Sequence, residues 1–126
     1  MRQLVLAVIV GVAISAAVSG VAYALMPAQG VIWPVWYGPF RTLSSAFLAV
    51  GPGVAAGWVA GRKGWLVGAV VGGCVTLLSL ATLPFVWGSI SPGIAFNTLV
   101  FGGIASVLTH SVAGAAGELL KARAAP

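Results

Sequence analysis

The sequence predicts an all-α integral membrane protein, a bundle of four transmembrane helices with both termini in the cytoplasm. Three observations carry that expectation. First, of 126 residues 60% are hydrophobic and 6% charged, with a single acidic residue, whereas a soluble domain has about 25% charged residues. The mean hydropathy of +1.12 leaves no surface that water would disperse. Second, four apolar runs are each long enough for a hydrocarbon core of roughly 30 Å at about 1.5 Å per residue. Third, the cations are unevenly distributed between the ends of those runs.

The first run, Leu4 to Met26, carries no charge, and Pro27 ends it. Its start also fits a cleavable signal peptide, with Arg2, a long apolar stretch and the small-x-small triplet Ala22, Tyr23, Ala24. The apolar stretch is longer than the roughly 7 to 15 residues such signals use, which favours a retained first helix. The second span is Thr42 to Ala60 and contains Gly51, Pro52 and Gly53. Proline removes a backbone hydrogen bond and crowds the preceding turn, so a kink or break is expected there. Trp65 to Trp87 forms the third span, with Pro84 near its fraying end, and Ile94 to Gly117 the fourth. The connections are short, and residues 1–126 read as one transmembrane domain. In this scheme Arg2, Arg62, Lys63, Lys121 and Arg123 lie on one side and Arg41 alone on the other, which puts both termini in the cytoplasm.

Composition excludes several chemistries. One Cys, one His, two Met and one carboxylate cannot supply the three or four ligands of a zinc-type site, so no metal site is expected within the chain. Glu118 has no second acid for paired-carboxylate chemistry, and no base-plus-acid pair is present to activate a Ser or Cys nucleophile. The expectation is a protein that is not an enzyme. Cys74 cannot form an intrachain disulfide. The net charge of +5 reads as a topology signal, because the cations flank apolar runs, and no nucleic-acid partner is expected.

Four features remain as candidates. The loop before the second span interleaves Trp33, Trp36, Tyr37 and Phe40 with Pro34 and Pro39 ahead of Arg41. It reads as an interfacial anchor, or as a small-molecule or headgroup site with Arg41 over an aromatic face. Gly53, Gly57 and Gly61 form one ladder, Gly64, Gly68 and Gly72 a second, and Gly11, Ser15 and Ser19 a third. Small residues four apart let helix backbones approach, the main source of packing energy in lipid. The first two ladders are mirrored about the Arg62–Lys63 turn and are therefore expected to face each other, drawing the second and third helices together. That would leave Gly103, Ser106, His110, Ala113 and Gly117 of the fourth helix as a bare face for a partner chain. An ionisable group within a span is a functional candidate, and the His110 imidazole could ligate a tetrapyrrole laid on that face. No cofactor is one that this chain could hold alone. Glu118 and Lys121, three apart, are placed for an exposed ion pair.

The stretch GWVAGRKGWLVGAVVGG, residues 57–73, resembles the glycine-rich hairpin of an uncharacterised family of small four-span bacterial membrane proteins. The resemblance covers the second and third spans and implies the fold and a bacterial inner-membrane location. It transfers no functional residue. Short loops, few titratable groups and bare helix faces together point to a non-catalytic subunit or assembly factor of a larger membrane complex, including one that contains pigment or haem. The alternative is a small homo-oligomeric transporter or channel that uses the broken second helix and the Arg41 loop.

Overall fold

The structure, a computed structural model, describes residues 1–26, 32, 34–87 and 91–125, with the side chains of residues 83–87 outside that description. Among the described residues the chain is all-helical, and four helices are long and apolar enough to cross a membrane. These are α1 (Arg2–Ala24), α2 (Tyr37–Ala60), α3 (Gly64–Trp87) and a fourth span made of α4 (Pro92–Asn97) and α5 (Gly103–Ala124), which a π-helical turn, Thr98–Gly102, joins.

Local chemistry explains the ends. At the close of α2, Gly61 takes the left-handed conformation at φ 66° and its N–H donates to the Gly57 carbonyl, a helix stop that glycine adopts without a Cβ penalty. Lys63 also has positive φ, so the α2–α3 connection is a tight reversal. Ser91 caps α4 by accepting a hydrogen bond from the Ile94 N–H, with Pro92 in the first turn, where its missing N–H costs nothing. Two boundaries differ from expectation. Helix α2 starts at Tyr37 rather than Thr42, because Pro39 falls in its first turn, and the fourth span extends from Pro92 to Ala124. Pro52 lies inside α2, which nevertheless runs unbroken to Ala60.

The α2–α3 hairpin forms the middle of the bundle. On α2, Pro52, Ala56 and Ala60 belong to one buried stripe and Gly53 and Gly57 to the next, about 100° around the helix. Helix α1 packs on the first stripe: Ala7, Ala56, Ala60, Val67 and Val71 make its core, and a Cβ at Gly11 would lie 2.8 Å from Val71 and 3.0 Å from the Pro52 carbonyl. Helix α5 packs on the second stripe.

The glycine ladders therefore do not face each other. A Cβ on Gly57 would land on the Gly114 carbonyl, one on Gly68 on the His110 carbonyl, and one on Gly72 would lie 2.6 Å from the Ser106 carbonyl. Both ladders form one seat for α5, which runs parallel to α2 (Gly53 beside His110, Gly57 beside Gly114) and antiparallel to α3 (Gly64 beside Gly114, Gly72 beside Ser106). Mirror symmetry about a turn fixes depth and leaves rotation about each axis free. The fourth span brings its own bare positions, Gly114 and Gly117, and wedging it between two bare stripes gives more backbone contact than pairing the stripes.

Candidate functional site

The face centred on His110 is the one place where polar side chains meet inside the described bundle. His110 is 3% exposed, and Ala113, Gly114 and Gly117 beside it are buried. Its Nδ1 lies 2.8 Å from the Ser106 carbonyl and 3.4 Å from Ser106 Oγ, and that hydroxyl donates to the Gly72 carbonyl at 3.0 Å. A carbonyl only accepts, so Nδ1 carries a proton, and in the neutral tautomer this leaves Nε2 as a bare acceptor. Nε2 has no hydrogen-bond partner among the described residues, and the same is true of buried Ser15 Oγ on α1. Thr76, also buried, donates to the Gly72 carbonyl of its own helix.

This geometry corrects the partner-face expectation. Ser106, His110, Ala113 and Gly117 face α2 and α3: a Cβ on Gly53 would lie 2.8 Å from both the Ala113 methyl and the His110 carbonyl, and one on Gly117 would strike the Val54 carbonyl. Gly103 sits higher, 3.4 Å from Thr76 by the same measure, at the edge of an open groove. A flat macrocycle finds no opening at His110, because the chain's own second and third helices cover the ring. The imidazole is buried against protein, as expected, and it marks an internal seam.

Glu118 is likewise redirected. Its Oε2 accepts from the Gly64 N–H at 2.6 Å, so the one carboxylate of the chain caps the N-terminus of α3, where the free N–H groups and helix dipole favour an anion. Lys121, the expected ion-pair partner, reaches instead to the Val59 carbonyl at 3.4 Å, its stem lying over Gly61. With Ser111 Oγ donating to the Trp65 carbonyl at 2.9 Å, three side chains of α5 tie it to the turn end of the hairpin.

At the opposite end, Trp36 stands edge-on to Tyr37 (5.9 Å, 80°) and to Phe40 (6.1 Å, 67°). Tyr37 is buried at 5% exposure and Trp36 is 53% exposed. Tyr37, Phe40 and Arg41 thus belong to the first turns of α2 rather than to a loop, while Trp33 lies outside the described residues.

Two open grooves complete the surface. One lies between α3 and the fourth span, lined by Gly73, Thr76, Leu77, Leu99, Gly103 and Leu108. The other lies between α1 and α2, lined by Ile14, Phe47, Gly51, Ala55 and Trp58. Both are apolar. Sequence reasoning missed the π-helical turn beside the first groove and the burial of Ser15, although the Gly11–Ser15 spacing had marked that face of α1. Among the described residues no group of three His, Cys, Asp or Glu side chains could hold a metal. No protein family, curated protein or solved structure matches the chain.

Proposed function

We propose that the chain is a non-catalytic integral membrane subunit, both termini cytoplasmic, that stabilises a larger membrane complex by lateral packing of helices. Exposed Tyr23 and Trp36 mark one end of the bundle and exposed Trp58 and Trp65 the other, as amphipathic rings do at the two faces of a bilayer. From Trp36 to Trp58 is 22 residues along α2, roughly 33 Å at about 1.5 Å per residue, which matches a hydrocarbon core of about 30 Å. Arg62 and Lys63 lie just beyond Trp58, and Arg2, Lys121 and Arg123 share their end.

The observation that carries the subunit role is the groove at the π-helical turn. It is open and apolar, and its lining sets Gly73, Gly103 and Thr76 among larger aliphatic side chains, small residues of the kind at which helices approach one another in lipid. It replaces the His110 face as the docking surface for another transmembrane subunit, and any pigment or haem of such a complex would be held by the partner chains. The unbroken α2 lacks the half-helix ends that a transport site would draw on.

Untagged purification in mild detergent tests the proposal, with co-purifying transmembrane subunits as the expected result. A pure homo-oligomer that supports flux in liposomes would replace it with a transporter or channel. Sidedness is tested separately. In a Cys74→Ser background, Ala122→Cys should be labelled only after the membrane is permeabilised, and labelling in intact cells would reverse the assigned orientation.

A further inference from the structure

We infer that the turn of α2 around Pro52 holds a buried water site, liganded from opposite sides by Ser15 Oγ and His110 Nε2. These are the two buried side-chain polar atoms without a partner among the described residues, at 1% and 3% residue exposure. A buried polar atom left without a partner is unfavourable in hydrocarbon, where no solvent replaces the missing hydrogen bond. A third polar group belongs to the same turn, since Pro52 has no N–H to return to the Leu48 carbonyl.

The packing brings the three to one level. Gly11 of α1 meets the Pro52 carbonyl, and α1 is antiparallel to α2, so Ser15, one turn onward, sits at the level of Leu48. On the other flank Gly53 meets the His110 backbone. The bond from Nδ1 to the Ser106 carbonyl tips the imidazole one turn back along α5, and α5 is parallel to α2, so the ring too lies at the level of Leu48 and Ala49.

Donors and acceptors match. With Nδ1 protonated, Nε2 only accepts, as does a carbonyl, while the Ser15 hydroxyl donates and accepts. A water that accepts from Ser15 and donates to Nε2 and to the Leu48 carbonyl makes three hydrogen bonds, the usual number for a buried water. Leu48 precedes Trp58 by ten residues, so the site lies roughly 15 Å inside the aromatic girdle. The single carboxylate of the chain, Glu118, is engaged at Gly64 and supplies no counter-charge to the ring. The site therefore places a hydrated imidazole nitrogen at bilayer depth, whatever binds the outer groove.

His110 is the only histidine in the chain, so solid-state NMR of histidine-labelled, tag-free protein in liposomes reads this site alone. The expected spectrum is a neutral ring protonated on Nδ1, with magnetisation transfer from water to Nε2. Ser15→Ala should lose most of that transfer and Ser15→Thr should keep it. Pro52→Ala, which returns a backbone N–H to Leu48, should weaken it. No water contact at Nε2 in the parent protein, a ring protonated on Nε2, or full transfer in a folded Ser15→Ala variant would each overturn the site. Should Ser15→Ala fail to fold, the parent spectrum and the Pro52→Ala variant decide the matter.

Discussion

The two ends of this bundle are built on different principles. At the turn end, Gly53, Gly57, Gly64 and Gly68 receive the α5 backbone directly, and Glu118, Ser111 and Lys121 each close on a backbone group of the hairpin. At the other end neither α4 nor the π-helical turn has a buried residue, and Leu43, Phe47, Phe96, Leu99 and Phe101 are all at least half exposed. Where side chains are absent, helices meet by backbone and one arrangement fits; where large apolar side chains cover the helices, several neighbours fit. The turn end specifies the fold, and the open end is free to meet lipid or another chain.

Replacing a ladder glycine should break this contrast most strongly. Gly57→Leu or Gly68→Leu drives a side chain into the backbone of α5 at Gly114 or His110, and backbone has no alternative rotamer to adopt. Overpacking costs about 1 to 3 kcal/mol where side chains can shift, and here the cost should reach or exceed the top of that range. Loss of the folded monomer in detergent, followed by circular dichroism and size exclusion, is the expected result. Retention of the parent melting temperature would mean that α5 is not seated on the ladders.

A smaller effect is expected from the cap. Glu118→Ala removes the acceptor of the Gly64 N–H at the start of α3, and loss of a helix N-terminal acceptor costs about 1 kcal/mol. Glu118→Gln keeps an acceptor oxygen and loses the charge, so its melting temperature should fall between the parent and Glu118→Ala. A Glu118→Gln melting temperature equal to the parent's would assign the contact to hydrogen bonding alone, and one equal to that of Glu118→Ala would assign it to the negative charge at the helix N-terminus.

The contrast also explains which parts of the fold were legible in the sequence. Hydropathy located four helices long and apolar enough to cross a membrane, because such a run must be apolar along its length. The ladders declared that backbones would meet at Gly53 to Gly72. What remained hidden was azimuth: positions 57 and 68 share a depth by arithmetic, but whether they face each other or a third helix depends on the bare positions of α5, which is remote in sequence. The same blindness applies to the face around His110, since Ser106, His110 and Ala113 look equally bare whether they meet a partner or, as the structure has it, their own hairpin. Glu118 was assigned by nearest-neighbour spacing to Lys121, while its acceptor role spans 54 positions to Gly64. The π-helical turn leaves no compositional mark in Thr98–Gly102.

The smallest effect on stability should come from Gly73, and this is the substitution that separates folding from assembly. Gly73 is one residue from Gly72, yet a Cβ added there meets nothing within 4 Å, because it points into the open groove rather than at α5. Gly73→Ala should hold or slightly raise the melting temperature, since alanine is favoured over glycine in a helix interior by about 1 kcal/mol at most. Gly73→Leu should also fold, but its side chain would fill the groove against Leu77 and Leu108 and remove the surface on which a partner helix would lie. Loss of co-purifying subunits from a Gly73→Leu protein with parent-like melting would place docking at the open end. If that variant kept its partners, with Gly51→Leu losing them instead, docking would move to the groove between α1 and α2, where the nearest atoms to a Cβ at Gly51 are those of the Phe47 ring of its own helix, from 2.7 Å. Either result keeps the turn end as the specifying half of the bundle, because neither glycine belongs to the seat of α5.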